Sequence, residues 1–248
     1  MEANLVFERD VESCRESGDT GASRTAFDAA NGSEHLIERV IRFAPGRSQP
    51  RDPGACEEVL FVLEGRGALL LDGERHELEL ETGAYVRPGE RYEIESPGPD
   101  DLHIVSVLVP EPPRDAAATG ERRVAVRLAD QEARGATGSR EFRLVVDPHT
   151  GCPSVTQFVG YIPPGRAPDH YHTYDEVIYV LDGEGMLHIG GESAPIRRGS
   201  CIHLTPKLVH SLENRGPETM RVLGVFRPAG SPAEAYYPDG TLVYPVED

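Results

Sequence analysis

Residues 58–67 read EVLFVLEGRG and residues 176–185 read EVIYVLDGEG, so one ten-residue stretch recurs at an offset of 118 residues. Six of the ten positions are identical, and most of the others keep their size or charge. Similarity at a fixed offset indicates a repeated structural unit. Each copy is a short apolar run that ends in a Gly-x-Gly turn, which is typical of a β-strand that enters a hairpin. The chain is therefore predicted to contain two copies of one β unit.

The rest of the chain has the same character. Short runs rich in Val, Ile, Leu, Tyr and Phe alternate with turn signals such as Asp72-Gly73 and Gly190-Gly191. The 26 glycines and 21 prolines are a turn-rich level, and no segment has a convincing helical period over three turns. Many short strands at this spacing predict an all-β sandwich or barrel.

A proline- and alanine-rich stretch, residues 111–120, lies between the two copies. We place the domain boundary there, which gives a first domain of residues 1–112 and a second of residues 113–248. Residues 1–30 are polar with little periodicity, so they are expected to form a disordered leader or an arm that packs on the other copy. The tail from residue 228 carries three tyrosines among Pro and Gly, which suggests an extended segment docked on a surface, such as that of a second subunit.

Composition limits the class of protein. The 248 residues, 38% of them apolar, are enough for one large β domain or two smaller ones. No apolar run reaches the roughly 20 residues that a membrane helix needs, and residues 1–10 lack a secretory signal, so a cytoplasmic location is expected. The net charge of −17 argues against a nucleic-acid partner. The four cysteines are not clustered, which is typical of reduced thiols.

Histidines and a glutamate concentrate in the second copy. His170 and His172 are two residues apart, so in an extended strand both imidazoles point to one face. Glu176 adds a carboxylate and His210 a third imidazole. Three neutral imidazoles and one carboxylate suit a divalent first-row metal ion such as Fe, Mn, Ni, Cu or Zn. Four ligands on an octahedral ion would leave two positions for water, oxygen or substrate.

This spacing resembles the two motifs of the cupin superfamily, G-x5-H-x-H-x3-4-E-x6-G and G-x5-P-x-G-x2-H-x3-N. Gly165 and His170 are separated by four residues instead of five, and residues 205–207 read TPK where the family has P-x-G. These departures fall in loops. The resemblance covers nearly all of the chain and implies two cupin (double-stranded β-helix, jelly-roll) barrels in tandem. It also implies a metal held by His170, His172, Glu176 and His210.

The first copy departs from the motif. Residues 47–57 contain no histidine, and Tyr92 stands where the second copy has His210. Glu58 is the one residue of the four that is kept. We expect no metal in the first barrel, which would serve as a scaffold, a pairing surface or a metal-free pocket.

Residues that could line the pocket are less well defined by the sequence. His203, Tyr161 and Gln157 are candidates for catalytic residues because they lie on predicted strands of the second copy. A strand has two faces, and alternation without register does not decide which of its two sets of side chains points inward.

The resemblance implies a Lewis-acid metal that chelates a pair of substrate oxygens. Our first expectation is an iron- or manganese-dependent, dioxygenase-like oxidoreductase that acts on a small chelating or anionic substrate. The second is a metal-dependent hydrolase, isomerase or lyase with the layout of ureidoglycine aminohydrolase, although that family is expected to ligate its metal differently. The third is a non-catalytic module that binds a metal or small molecule. No membrane partner is expected. A bicupin resembles a fused dimer and can be a monomer, but the tail and the family's pairing of barrels favour a homodimer.

Overall fold

A computed structural model describes residues 4–112, 116–136 and 138–243. Residues 113–115 of the predicted linker and 244–248 of the predicted tail lie outside the described residues. The strands are β1 (Leu5–Phe7), β2 (Cys14–Arg15), β3 (Gly21–Phe27), β4 (Ile37–Phe43), β5 (Gly46–Arg47), β6 (Glu57–Glu64), β7 (Gly67–Leu71), β8 (Glu74–Leu78), β9 (Thr82–Val86), β10 (Tyr92–Ser96), β11 (Leu102–Val109), β12 (Ala125–Arg127), β13 (Arg134–Gly135), β14 (Glu141–Val146), β15 (Thr156–Ile162), β16 (Gly165–Arg166), β17 (Asp175–Asp182), β18 (Glu184–Ile189), β19 (Glu192–Arg197), β20 (Ser200–Leu204), β21 (His210–Asn214) and β22 (Met220–Arg227).

Helical structure is confined to short 3-10 turns at Glu8–Asp10, Ala29–Asn31, Leu128–Asp130 and Pro148–Thr150. The described part of the chain contains no α-helix, and no helix in it is long and apolar enough to cross a membrane.

The strands form two barrels, each built from a seven-stranded and a four-stranded sheet. In the first barrel the orders are β12-β9-β6-β11-β4-β3-β2 and β5-β10-β7-β8. In the second they are β1-β20-β17-β22-β15-β14-β13 and β16-β21-β18-β19. The predicted all-β class with two barrels in tandem is confirmed.

The repeated stretch lies on β6 and β17, and its apolar run follows from burial on both faces. In β6, Leu60 and Val62 point into the core of the first barrel, whereas Val59 and Phe61 join a cluster shared by the two barrels. Residues 176–181 of β17 alternate in the same way between the second barrel and the shared cluster. A strand buried on both sides reads as a continuous apolar run. The two seven-stranded sheets therefore pack face to face.

The two copies keep the same register. Tyr92 of β10 pairs with Leu71 in the first barrel, and His210 of β21 pairs with Ile189 in the second, which is an offset of 118 residues for both partners. The glycines that begin β5 and β16 are equivalent as well. Gly46 and Gly165 both have a φ of 127°, a conformation that favours glycine. The structure therefore places Tyr92 at the position of His210.

Two strands cross between the barrels. β1 pairs antiparallel with β20 of the second barrel, although it lies at the start of the chain. β12, which follows the predicted boundary, pairs with β9 of the first barrel. Just after β1, Glu8 accepts a hydrogen bond from the Tyr179 hydroxyl at 2.8 Å and lies 3.1 Å from His103 Nε2. The domain boundary at residue 112 stays a prediction. With that boundary, β1 and β12 each pair with a strand of the other domain.

Candidate metal centre

The three predicted histidines of the second copy meet at one end of the second barrel. His170 and His210 form an isolated antiparallel bridge, with N–O distances of 3.0 and 2.8 Å. The ring centres of His170 and His172 lie 5.0 Å apart, and each lies within 5.3 Å of the His210 ring. One potential ligand atom from each ring lies within 4.8 Å of the others. Among the described residues, this is the cluster of histidines, cysteines and carboxylates that could hold a metal ion.

The protein backbone sets the tautomer of all three rings. Nδ1 of His170, His172 and His210 lies 2.8, 2.8 and 2.9 Å from a main-chain carbonyl oxygen. A carbonyl oxygen can only accept, so each Nδ1 carries the proton and donates it. The Nε2 lone pairs are therefore free, as a metal ligand requires.

Burial also keeps the imidazoles neutral. Desolvation lowers the pKa of His170, and with the nearby ring of His170 it lowers the pKa of His172 to about 3. The pKa of the buried His210 lies well below its ordinary value, because of burial first and then the nearby rings of His170 and His172. Neutral imidazoles do not have to lose a proton before they bind a cation.

Glu176 faces the same cavity from the start of β17. Its neighbours Ile178 and Val180 alternate onto the inner face with it, and its carboxylate is buried. Among the described residues no side chain donates a hydrogen bond to it. Burial first, and then the charge of Asp175, raises its pKa to about 8. A buried carboxylate without donors is destabilised when ionised, and a bound cation would relieve this.

A column of aromatic rings supports His172. The His172 ring stacks on Tyr174 with centres 4.6 Å apart, and Tyr174 stacks on Phe226 at 3.9 Å. Phe158 completes the column with an edge contact to Phe226 at 5.9 Å. The tail closes it, because Glu234 supplies the carbonyl that accepts from His172 Nδ1. These contacts fix the plane of the imidazole.

The cavity beside the histidines has an enclosed volume of about 100 Å³. Its walls are mostly apolar and include Phe142, Phe158, Ile162, Ile178, Leu212 and Val222. Arg140 is the guanidinium that lines it, and one of its nitrogens donates to the carbonyl oxygen of Leu212 at 2.8 Å. Burial lowers the pKa of Arg140 to about 10, which leaves it charged. No sequence motif points to Arg140, because it lies outside both motifs.

Of the three candidates for catalytic residues, two lie away from the cavity beside the histidines. His203 is buried on the face opposite to Ile202 and Leu204, where its Nε2 lies 2.8 Å from Asp175. Gln157 is buried on the face between the barrels, against Gly83. Neither lines the cavity. Tyr161 lines it, but its ring packs against the shared cluster, near the guanidinium groups of Arg143 and Arg221. A catalytic role for these three residues stays a prediction.

The first barrel holds no such cluster in the part of the chain that the structure describes. Glu58 has the position of Glu176, but it accepts hydrogen bonds from Ser106 Oγ at 2.6 Å and from the Tyr92 hydroxyl at 3.0 Å. Two hydroxyl donors thus satisfy the carboxylate of the first barrel.

Known proteins resemble short segments of this chain and its overall fold. Short segments resemble curated proteins: 80 residues are 35% identical to L-ectoine synthase of Aliivibrio fischeri, covering 32% of this chain and 61% of that protein. A further 66 residues are 35% identical to an oxalate-binding protein of Thermotoga maritima, covering 26% and 54%. The chain thus spans less than two thirds of these relatives.

Solved structures match over most of the chain. Protein Ylba from E. coli is 12% identical with a TM-score of 0.75, and the match covers 90% of this chain and 89% of that one. A Bacillus subtilis oxalate decarboxylase variant is 14% identical with a TM-score of 0.72, covering 92% and 78%. These likenesses show the fold. The cupin domain model matches both repeats, at residues 39–108 and 158–226, and the chain therefore belongs to the cupin family as a two-barrel protein.

Proposed function

We propose that the second barrel is a mononuclear metal centre that carries out an oxygenase-type reaction on a small, chelating organic anion. The observation that supports this most is the set of three Nε2 atoms, freed by backbone bonds to Nδ1, at the wall of an apolar cavity that also holds a buried carboxylate. His170, His172, Glu176 and His210 would be the ligands.

The donor set fits a divalent first-row transition metal. Imidazole nitrogen with one carboxylate oxygen is chemistry that such ions prefer, and iron and manganese are the ions we favour. When bound, the metal would act as a Lewis acid toward a pair of substrate oxygens and, if redox-active, would bring oxygen to the same substrate. Nickel, zinc or copper would suit the same donors.

Arg140 would recognise the charge of the substrate. Its guanidinium is held by the Leu212 carbonyl, and it carries a positive charge at the wall of an otherwise apolar cavity. Charge-assisted hydrogen bonds in such surroundings are stronger than neutral ones. The cavity volume of about 100 Å³ is small, so the part of the substrate beside the histidines would be small.

The cavity walls favour oxygen chemistry over hydrolysis. Phe142, Phe158 and Leu212 limit the number of polar groups that could orient an attacking water molecule. Apart from the proposed ligands, the carboxylate on the wall is that of Glu141, which is exposed at the rim. Two relatives with oxalate in their names make a dicarboxylate or 2-oxo acid a reasonable first substrate to test.

Metal analysis tests the proposal directly. Protein purified without a histidine tag, and reconstituted with Fe(II) or Mn(II), should contain about one metal ion per chain by elemental mass spectrometry. The His172→Ala variant should lose it, because one of three imidazoles is removed, whereas the exposed His35→Ala variant should keep it. Oxygen uptake is then measured with oxalate, 2-oxo acids, diketones and catechols.

The outcomes separate the candidate functions. Iron or manganese with substrate-dependent oxygen uptake supports the oxygenase. One zinc or nickel ion per chain without oxygen uptake would redirect the search to hydrolases, isomerases and lyases. Full metal occupancy in His172→Ala, or no metal in the reconstituted protein, contradicts the proposed centre.

A further inference from the structure

The first barrel contains a cavity of its own, with a volume of about 390 Å³, which is larger than the enclosed cavity beside the histidines. It lies at the position equivalent to the metal centre, because Glu58 and Tyr92 line it. Its rim comes from residues that precede β3, including Glu16 and Asp19. A roomy polar cavity at the mouth of a β-barrel is a common place for small ligands.

The register of the sheets shows what replaced the metal pocket. Arg39 of β4 pairs with Ser106 of β11, as Phe158 of β15 pairs with Gly224 of β22. In the second barrel the Phe158 ring fills the space over Gly224, where an added Cβ atom would lie 2.3 Å from the ring. In the first barrel an arginine takes the place of that phenylalanine.

Three of the four acidic groups on the cavity wall already have partners. Asp19 pairs with Arg51 at 2.6 Å, and Asp52 pairs with Arg91 at 3.0 Å. Glu58 accepts from two hydroxyl groups, as described above. The remaining acid of the wall, Glu16, is exposed at the rim. None of these carboxylates contacts Arg39.

Arg39 is the guanidinium left without a partner. Arg39 and Ile41 are two residues apart on β4, so their side chains lie on the same face of the strand. Ile41 belongs to the core of the first barrel, and the side chain of Arg39 therefore points into that barrel. Within residues 4–112, 116–136 and 138–243 its guanidinium group has no hydrogen bond and no ion pair, although its charge acts on Glu58 and Tyr92. Nε of Arg51 is also buried without a partner on the same wall. Arg39 itself is half-buried, so its guanidinium group faces the cavity and is accessible to a ligand.

We propose that the first barrel is a second, metal-independent ligand site that binds a small organic monocarboxylate through Arg39. The planar guanidinium matches the two oxygens of a carboxylate. The guanidinium group of Arg39 can pair with one carboxylate of the ligand, whereas the four carboxylates on the cavity wall disfavour a second negative charge. The hydroxyl groups of Tyr92, Ser23 and Thr25 on the wall could hydrogen-bond to polar substituents of the ligand.

Isothermal titration calorimetry on the full chain tests this site with benzoate, lactate and butyrate, and with benzamide as the uncharged analogue. At least one of the three anions should bind at millimolar concentration, and benzamide should not. In Arg39→Gln the affinity should fall at least about tenfold, because a charge-assisted bidentate contact is lost. Arg66→Gln, at an exposed hairpin, makes the same change of charge and should bind as the wild type does.

Further variants separate this site from the metal centre. Arg140→Gln changes the guanidinium of the second barrel, so it should leave binding of the anion intact, and metal content should not change in Arg39→Gln. If Arg39→Gln fails to fold, Arg39→Lys keeps the charge but not the planar fork, and weaker binding is expected. Failure of all three anions to bind, binding that survives both Arg39 variants, or binding lost in Arg140→Gln overturns the proposal, whatever the metal analysis shows.

Discussion

Gly224→Ala is the substitution that tests most sharply how the inner face of the second barrel would hold the proposed metal centre. An added Cβ atom would lie 2.3 and 2.5 Å from two atoms of the Phe158 ring and 3.1 Å from Glu176 Oε1. Ordinary contacts of this kind are about 3.5–4.0 Å, so the ring must move by more than about 1 Å. Overpacking of this size costs about 1–3 kcal/mol, which corresponds to a fall in Tm of roughly 2–12 °C for a chain of this length.

The loss of metal should accompany the loss of stability, because the same methyl group crowds Glu176. Gly160→Ala is the matched control: its Cβ atom would approach Val222 to 3.1 Å and Phe158 to 3.4 Å, which small shifts can relieve. Chemical denaturation and metal content are measured for both variants. Phe158→Leu, introduced into Gly224→Ala, should restore part of the stability because it removes the clashing ring atoms. Wild-type stability and full metal content in Gly224→Ala would refute the close packing of β22 against Glu176 and Phe158.

Three further predictions concern other parts of the molecule. Burial raises the pKa of Glu58 despite its hydroxyl donors, so the folded chain holds that proton more tightly than the unfolded chain. The free energy of unfolding should therefore fall as the pH rises above about 4.3. In urea titrations Glu58→Gln should weaken this pH dependence, whereas Glu132→Gln, at an exposed position, should leave it unchanged. Tyr174→Leu removes the ring stacked on His172 and should weaken metal binding by about ten- to a hundredfold in competition with a chelator, with unchanged affinity as the contrary result. Leu5 packs on the core of the second barrel, so Leu5→Asp should detach β1 and make it accessible to limited proteolysis. Equal resistance of the variant and the wild type to the protease would contradict the pairing of β1 with β20.

The two barrels differ in the groups that surround one equivalent buried glutamate. Glu58 and Glu176 have equivalent places on β6 and β17, yet Glu58 has two hydroxyl donors, whereas Glu176 lines the same cavity as the three imidazoles but lies outside the group of ligand atoms within 4.8 Å. Tyr92 at the position of His210 accounts for one of those donors. Each buried carboxylate therefore needs its own compensation.

Much of the fold was predictable because its signals are local. The apolar runs on β6 and β17, the Gly-x-Gly turns and the repeat at 118 residues predicted two copies of one β unit. The resemblance to the cupin motifs implied two barrels in tandem, and the structure confirms them. The spacing of His170, His172 and His210 predicted a cluster, and the three rings do meet. Periodicity and spacing act over a few residues, and the sequence shows them directly.

The placement of other residues depended on contacts between distant parts of the chain. Gln157 and His203 lie on the faces away from the cavity, and alternation by itself left both faces open for them. Arg140 reaches the metal cavity from outside the motifs, and Arg39 enters the first barrel where the second has a phenylalanine. The pairing of β12 with the first barrel carries no local signal, and for residues 1–30 the sequence left both a disordered leader and an arm on the other copy open.

The sequence by itself determined the β class, the duplication and the metal-type residues, since strand period, turn chemistry and ligand spacing are properties of short segments. The tertiary structure decided which face of each strand points inward, which carbonyl oxygens orient the imidazoles and which guanidinium group is left without a partner. These features arise where strands far apart in the chain pack together. Their energies depend on burial and on neighbours that no short segment contains.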